Sequence, residues 1–238
     1  MNATRDRSRP VIAIDGPAGA GKSTIAGYLA RRFHFLNLET GAMYRAFALK
    51  ALESATSLDD EAALVRLAET TRIVLEPRPE ASNRVLLDGT DVTARIRERD
   101  ITEAASRVSV HPGVRAWMVE QQRRMGQQGG IVMEGRDIGT HVFPDAEVKI
   151  FLDAADTVRG QRRFLQDSQS AAAIIDEPRT PEAVLAAVRE RDARDKNRAA
   201  SPLEPAPDAI HLDTSQMTLE EVCRRAEELV QARIVSPV

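Results

Sequence analysis

The feature that most constrains this chain is a glycine-rich octapeptide close to its N-terminus. Residues 16–23, Gly-Pro-Ala-Gly-Ala-Gly-Lys-Ser, match the phosphate-loop pattern G-x-x-x-x-G-K-[ST] without a gap. A short apolar run rich in β-branched residues, 11–14, precedes this loop, and a helical pattern, 23–32, follows it. Because motif and context agree, the sequence predicts a strand, a phosphate loop and a helix in succession.

The loop residues have distinct expected tasks. Glycines let successive backbone N–H groups converge on phosphate oxygens, and the following helix adds the positive end of its dipole. We expect Lys22 to reach the β- and γ-phosphates of a nucleoside triphosphate and the Ser23 hydroxyl to ligate Mg²⁺. Motors, GTPases, transporters and kinases share this motif, so it predicts phosphate binding only. The expected donor-binding segment is Gly16, Pro17, Ala18, Gly19, Ala20, Gly21, Lys22, Ser23 and Thr24.

The remaining apolar runs favour an α/β fold. Four more of them have the length and composition of buried strands, and helical stretches separate most of them. With the first run they predict a five-stranded parallel sheet that has helices on both faces. The four runs are residues 35–38, 131–133, 148–152 and 210–212.

Two stretches interrupt this alternation. Residues 54–99 contain a helical pattern at 59–70 and two short strand patterns, with Asp88-Gly89 as a turn, which predicts a small antiparallel insert. Residues 159–207 are dense in charge and include the charge-rich run 189–198. A solvated helix face laced with salt bridges is the usual explanation of such a run.

Composition excludes several partners. The 33 basic and 36 acidic residues give a formal net charge of -3, so no global positive field attracts nucleic acid or an anionic membrane. No segment approaches the roughly 18 apolar residues of a membrane span, and the first ten residues are too charged for a signal peptide. The single cysteine, Cys223, forms no intrachain disulfide. We therefore expect a cytoplasmic protein.

The absence of GTPase and ABC-type motifs further narrows the class of phosphate-loop protein. A GTPase should have N-K-x-D and D-x-x-G elements, and the nearest string, 195–198, does not fit the first; an ABC-type signature is absent as well. Many isolated arginines lie downstream of the loop instead. Phosphoryl transfer between two anions requires such positive groups, because donor and acceptor repel each other. The acceptor oxygen is already anionic, so no general base is demanded.

Three segments make a specific resemblance. Residues 38–45 are Leu-Glu-Thr-Gly-Ala-Met-Tyr-Arg, residues 134–140 are Glu-Gly-Arg-Asp-Ile-Gly-Thr, and residues 191–198 are Arg-Asp-Ala-Arg-Asp-Lys-Asn-Arg, followed by Pro202-Leu203. In this order behind a phosphate loop, from about residue 11 to 232, they resemble the bacterial cytidylate kinase family. Two departures are Glu39, where the family commonly has Asp, and Gly160, where alanine is usual.

The resemblance implies a P-loop nucleoside monophosphate kinase fold with three parts. The core would comprise 11–53 and 100–238, the acceptor-binding insert 54–99, and a closing helical lid about 159–207. Residues 1–10 form an N-terminal extension without a counterpart. The implied activity is direct, in-line transfer of the γ-phosphoryl group of ATP to CMP and dCMP in the presence of Mg²⁺. We expect the protein to be a monomer.

The resemblance also assigns residues to the acceptor. Thr40 lies in the first segment and is assigned to substrate binding. Guanidinium forks suit phosphate, and a carboxylate with an arginine complements the N4 donor and the N3 and O2 acceptors of cytosine. The acceptor phosphate would contact Arg45, Arg136 and Arg198; the base Ser106, Arg115 and Asp137; and the ribose and phosphates Arg191 and Asp195.

On the donor side the resemblance places Arg159, Arg162 and Arg163 at the start of the lid, near ATP; we assign ATP binding to Arg162, and which of the three contacts the adenine stays open. Glu134 ends an apolar strand and is expected to hold Mg²⁺ with Ser23, while Asp153 is the competing candidate. The residues expected to act in the transfer itself are Lys22, Arg136, Arg191 and Arg198.

Simpler interpretations exist for the same residues. Each arginine alone is more often a surface ion pair, and Arg191 and Asp195 are spaced as an i, i+4 pair. Arg115 and Ser106 would otherwise be ordinary helix residues near His111-Pro112. Another small acceptor such as UMP, AMP or shikimate is the alternative within the kinase class. A regulatory or motor ATPase is the alternative outside it.

Overall fold

A computed structural model describes residues 7–78, 81–168 and 180–234. Part of the predicted N-terminal extension, 1–6, and part of the predicted lid, 169–179, lie outside the described residues. In chain order the elements are β1 (Val11–Asp15), α1 (Lys22–Phe33), β2 (Leu36–Glu39), α2 (Thr40–Glu53), α3 (Glu61–Glu69), β3 (Ile73–Arg78), β4 (Ala81–Leu87), β5 (Thr90–Asp91), α4 (Arg99–Val108), α5 (Pro112–Met125), β6 (Ile131–Gly135), β7 (Val148–Asp153), α6 (Asp156–Ser168), α7 (Pro181–Asn197), β8 (Ile210–Asp213) and α8 (Leu219–Ile234).

The predicted five-stranded parallel sheet is confirmed. Its strand order is β2-β6-β1-β7-β8, and every neighbouring pair is parallel. All five strands continue one or two residues past the predicted apolar run, and each extension includes an acidic residue. The carboxyl edge of the sheet is therefore lined by the five acidic residues Asp15, Glu39, Glu134, Asp153 and Asp213.

Helices cover both faces of this sheet, as expected for strands that are apolar on both sides. Alternate residues of β1 point to opposite faces. Val11 and Ala13 belong to a core that includes residues of α2, α4 and α5, whereas Ile12 and Ile14 belong to a second core with α1 and α8. All four side chains are fully buried, so the phosphate loop leaves a strand that is held from both sides.

The predicted antiparallel insert is present as the three-stranded sheet β3-β4-β5. The turn at Asp88-Gly89 has φ of 50° and 88°, the left-handed conformation that Asp and Gly tolerate in tight hairpins. Helix α3 is shorter than the predicted 59–70, because the Asp60 side chain accepts a hydrogen bond from the Ala63 amide and caps the helix there.

The insert is tied to the edge of the central sheet by one buried side chain. Asn83 in β4 accepts a hydrogen bond from the Glu39 amide at 3.1 Å and donates one to the Asn37 carbonyl at 2.8 Å. Its side chain thereby continues the hydrogen bonding of β2, the edge strand, and is 2% exposed. This contact fixes the insert beside Glu39 and the start of α2.

The charged run 189–198 differs from its expected role as a solvated face. Most of it lies in α7, as a helix pattern predicts, but Asp192, Asp195 and Arg198 are 7%, 5% and 8% exposed. Burial of these charges follows from the packing of α7 against α6 and the phosphate loop, which local periodicity does not report. Within the described residues, none of the helices combines the length and apolar character that a membrane span needs.

We expect Asn83→Ala to lower the free energy of unfolding by about 1–3 kcal/mol, because it leaves two buried backbone groups without their partner. Urea unfolding followed by the fluorescence of Trp117, the single tryptophan, measures this change. Ser82→Ala is the matched control, since successive side chains of a strand point to opposite faces. Equal stability of the Asn83→Ala variant and the parent would show that this contact contributes nothing.

Candidate active site

The phosphate loop lies at the carboxyl edge of the central sheet, between β1 and α1. Gly16, Gly19 and Gly21 have φ of 150°, 76° and 93°, in the region that side chains disfavour. A Cβ atom at Gly16 would collide with the carbonyl oxygen of Leu152, and one at Gly19 would lie 2.9 Å from the carbonyl oxygen of Arg159. The glycines thus allow both the backbone conformation and the close approach of neighbouring strands and helices.

Lys22 occupies the first position of α1 and is 6% exposed. Its ammonium group donates to the Pro17 carbonyl within the loop at 2.7 Å. Burial, and next the positive charge of Arg136, lower the pKa of Lys22 to about 7. A bound polyphosphate would favour the charged form of Lys22. Its binding would therefore raise the pKa of Lys22 back toward the ordinary value of a lysine.

Ser23 and Glu134, the two residues of the predicted metal site, are in direct contact. The Ser23 hydroxyl donates to Oε1 of Glu134 at 2.9 Å, and Thr40 donates to the Glu134 carbonyl at 2.8 Å. Glu39 pairs with Glu134 across β2 and β6, and burial together with that second carboxylate raises the pKa of Glu39. A hydroxyl and two neighbouring carboxylates are hard oxygen donors that suit Mg²⁺.

The competing metal candidate, Asp153, has a different environment. It is exposed, and its Oδ1 accepts a hydrogen bond from the Ala154 amide at 2.8 Å. Among the described residues no group of three or more His, Cys, Asp or Glu side chains is arranged to hold a metal. An ion at Ser23 and Glu134 would therefore take its remaining ligands from phosphate oxygens and water, which is how Mg²⁺ commonly binds.

Three of the predicted acceptor residues form one ion-pair network. Arg136 donates from Nε to Oδ2 of Asp195 at 2.8 Å, and Arg198 approaches Oδ1 of Asp195 at 3.6 Å. Burial alone would raise the pKa of Asp195, but Arg136 and Arg191 hold it below its usual value. The bonded partner of Asp195 is Arg136 on the β6 loop, rather than the i, i+4 partner that helix spacing suggests.

Three arginines of this region have guanidinium nitrogens that form no hydrogen bond with the described residues. Within the part of the chain that the structure describes, Nε of Arg45, Nε of Arg191 and Nη2 of Arg198 are buried without a hydrogen-bond partner. Burial lowers the pKa of Arg45, and burial followed by repulsion from Arg136 lowers that of Arg191 to about 10. A buried donor without a hydrogen-bond partner is costly, so this arrangement favours the binding of an anion.

The expected base-reading residues meet only in part. Nη2 of Arg115 donates to Oδ2 of Asp137 at 2.5 Å, and Arg198 lies 3.8 Å from the other oxygen of that carboxylate. The Arg115 guanidinium lies 5.5 Å from the centre of the Tyr44 ring, and burial raises the pKa of Tyr44 to about 12. Ser106 is buried, and its hydroxyl accepts a hydrogen bond from Arg194 rather than from Arg115.

The three candidate lid arginines have separate partners. Arg159 is buried against the phosphate loop, with Nη1 donating to the Ala18 carbonyl at 2.9 Å. Arg162 instead donates to the hydroxyl and the carbonyl of Thr214, just beyond β8, at 3.0 and 2.9 Å. Arg163 forms an ion pair with Asp167 at 2.9 Å. The contact of Arg162 with the nucleotide stays a prediction, as does that of Thr24, which is exposed in the first turn of α1.

Several residues beside the candidate site were not predicted from the sequence. Arg194 donates to the Ser106 hydroxyl at 2.6 Å, and Arg97 lies close enough to influence the pKa of Glu39 and Arg45. Arg194 lies inside the charged run, between the assigned residues Arg191 and Asp195. That position is the sequence signal that could have identified it. Arg97 is exposed in a 3-10 turn, Arg95–Arg97, and no sequence pattern distinguishes it.

Asp15 is another residue beside the candidate site that was not predicted from the sequence. Its carboxylate accepts hydrogen bonds from the amides of Ile138 and Gly139 at 2.8 and 2.7 Å, at the start of the π-helical turn Ile138–Val142. Burial raises the pKa of Asp15 to about 6 despite these bonds. A charged residue that ends an apolar strand directly before a phosphate loop was the available signal. Asp15 joins the loop to the segment that contains Asp137.

Comparison with known proteins supports the same family. The family model described as cytidylate kinase matches residues 12–232. The cytidylate kinase of Geobacillus sp. (strain WCH70) is 45% identical over 223 residues, which cover 94% of this chain and 97% of that protein. The cytidylate kinase of Solibacter usitatus (strain Ellin6076) is 45% identical over 235 residues, 98% of this chain and 97% of that protein.

A longer relative is also similar. The bifunctional pantoate ligase/cytidylate kinase of Synechococcus sp. (strain JA-3-3Ab) is 47% identical over 217 residues. These cover 90% of this chain but only 39% of that protein, so the present chain spans well under half of its length. The resemblance inferred from the three motif segments is thus confirmed over nearly the whole sequence. On these matches, the chain belongs to the cytidylate kinase family.

Proposed function

We propose that this chain transfers the γ-phosphoryl group of ATP to CMP and dCMP, forming ADP with CDP or dCDP. One observation supports this most strongly: among the described residues, buried guanidinium nitrogens of Arg45, Arg191 and Arg198 have no hydrogen-bond partner, and Arg191 lies close to Lys22 of the phosphate loop. Arg136 and Arg191 are near enough to Lys22 to depress its pKa, so the donor and acceptor regions share one electrostatic environment. Such a site suits two phosphate esters placed end to end.

The transfer step follows from this charge arrangement. The phosphate loop and Lys22 hold the donor phosphates, while Arg45, Arg136 and Arg198 hold the acceptor phosphate. Arg136, Arg191 and Arg198 face the region where charge spreads over the transferring group, and preorganised cations stabilise that charge. The attacking oxygen belongs to the acceptor phosphate and is already anionic, so the site needs no general base.

Base selection is assigned to the buried pair of Arg115 and Asp137. A carboxylate accepts from N4 of cytosine, and a guanidinium donates to N3 and O2. Uracil reverses the hydrogen-bonding character at two of these positions, so it would leave buried groups unpaired at a cost in binding. Ser106, held by Arg194, would complete the base site, and Thr40 and Asp195 would contact the remainder of the acceptor.

Ser23 and Glu134 are the residues proposed to hold Mg²⁺. Mg²⁺ held there would offset the negative charge of the donor phosphates. The contact of the Ser23 hydroxyl with Glu134 supports this choice, whereas Asp153 is exposed and accepts a hydrogen bond from the Ala154 amide.

The proposal also assigns roles to two longer segments of the chain. Residues 54–99 would act as the acceptor-binding insert, and about 159–207 as a lid whose closure excludes water and suppresses hydrolysis of ATP. The anchoring of the insert by Asn83 next to Glu39 supports the first assignment. We also infer a cytoplasmic location, which the single cysteine supports; the monomeric state stays a prediction.

A panel of acceptors tests the function directly. Purified protein with ATP and Mg²⁺ should phosphorylate CMP and dCMP in preference to UMP, AMP and shikimate, as measured by coupled release of ADP. A preference for another acceptor would move the protein to the alternative within the kinase class. Release of ADP at full rate without any acceptor would favour a regulatory or motor ATPase.

We expect Asp137→Asn to reduce the ratio of kcat/KM for CMP to that for UMP by about 10- to 100-fold, because the amide can donate to O4 of uracil where the carboxylate cannot. The same coupled assay measures both values. Glu120→Gln, at an exposed position on α5, is the matched control and should leave the ratio unchanged. An unaltered ratio in Asp137→Asn would contradict the proposed base selection.

The depressed pKa of Lys22 predicts that ATP binding takes up protons. At pH 8 a group whose pKa is about 7 is mostly neutral, whereas bound phosphates favour its charged form. Calorimetry at pH 8 in buffers of different ionisation enthalpy should show uptake of up to about one proton per ATP.

Lys22→Arg provides the control for this measurement, because a guanidinium remains charged at pH 8. The variant should take up fewer protons than the parent on binding ATP. Equal proton uptake by the two proteins would show that Lys22 is already charged before the nucleotide binds.

A further inference from the structure

Two buried side chains hold the backbone of one residue in the phosphate loop. Oδ1 of Asp192 accepts a hydrogen bond from the Ala18 amide at 3.2 Å, and Nη1 of Arg159 donates to the Ala18 carbonyl at 2.9 Å. Arg159 and Asp192 also pair with each other at 2.5 Å. We name these three residues the Ala18 clamp. They join the loop to α6, which contains Arg159, and to α7, which contains Asp192.

The clamp is rigidly packed. The side chains of Arg159 and Asp192 are 8% and 9% exposed, and Nε of Arg159 is held by the Ala154 carbonyl at 2.8 Å. A Cβ atom at Gly160 would lie 3.1 Å from the Leu185 side chain, so α6 and α7 approach each other closely there. A loop attached to this helix pair cannot shift without moving α6, α7 or both.

Helix α7 also supplies residues of the acceptor site. Arg191 precedes Asp192 directly, and Asp195 follows one turn later, paired with Arg136. Arg198 lies at the C-terminal end of the same helix. Residues that face the acceptor and a residue that holds the donor loop therefore belong to one rigid element. Their relative placement is set by the contact of Asp192 with Ala18.

A stabilising role alone does not account for this arrangement. A buried ion pair is often replaceable by apolar side chains at little cost in stability. Here, however, both charged groups also bind the backbone of the loop that holds the donor phosphates, so an apolar pair would release Ala18 while it preserved packing. Function and stability can therefore be separated by experiment.

We propose that Arg159 and Asp192 are positioning residues that set the distance and alignment between the donor phosphate loop and the acceptor-binding arginines of α7. This inference rests on the proposed function. In-line transfer is sensitive to such alignment, since a displacement of about 1 Å can cost about 100-fold in rate. Binding of either substrate alone depends on alignment far less.

The test uses the full chain with Arg159→Met and Asp192→Leu combined, which leaves no unpaired buried charge. With both substrates saturating, the single-turnover rate of CDP formation should fall by about 10- to 100-fold. The dissociation constant for CMP alone, measured by calorimetry, should stay within about threefold of the parent value. A loss confined to turnover distinguishes positioning from general destabilisation, which would weaken CMP binding as well.

Asp156→Asn is the matched control. It removes an exposed ion pair between the same two helices, Arg189 with Asp156 at 2.7 Å, which has no contact with Ala18. Its turnover should equal that of the parent. Should the control slow turnover as much as the double variant, any contact between α6 and α7 would suffice and the specific role of the clamp would be refuted.

Asp192→Asn extends the test if the double variant proves unfolded. The amide oxygen can still accept from Ala18, but the charge that holds Arg159 is gone, and turnover should fall by at least about threefold. Parental turnover in either folded variant would overturn the inference. The parent must form CDP in the same assay; its failure to do so would refute the proposed function itself.

Discussion

Electrostatic repulsion between buried cations is the constraint on which the rest of this structure depends. Lys22, Arg45, Arg136 and Arg191 crowd the carboxyl edge of the sheet. Burial, and next the charge of Arg136, lower the pKa of Lys22 and of Arg191, whereas Asp195 helps to raise the pKa of Arg136 despite its burial. The protein tolerates this because Asp195 and other buried carboxylates balance part of the charge. The remainder suits the phosphates of two substrates.

The fold was largely predictable because strands buried on both faces are continuous apolar runs. All five were found from such runs, and the phosphate loop between β1 and α1 was identified by its glycines. Strand ends were missed by one or two residues for a physical reason. Residues such as Asp15 and Glu134 are polar, yet they continue the ladder because the carboxyl edge is where the site requires charge.

The site was predictable as a set of residues but not as a set of contacts. Three motif segments brought Arg136, Asp137 and Asp195 to attention, whereas the pairing of Asp195 with Arg136 across 59 positions depends on tertiary packing. Asp192 was the hardest to identify. In a run of alternating charges nothing local marks Asp192 as a carboxylate that turns inward, because burial depends on how α7 meets α6 and the loop.

The central claim is that both phosphates occupy one site and that the phosphoryl group passes directly between them. The most direct measurement is the stereochemical course of transfer from ATP made chiral at the γ-phosphorus with oxygen isotopes. A single in-line displacement predicts inversion at phosphorus in the CDP that forms. Retention would demand two displacements through a covalent enzyme intermediate, and it would contradict the account.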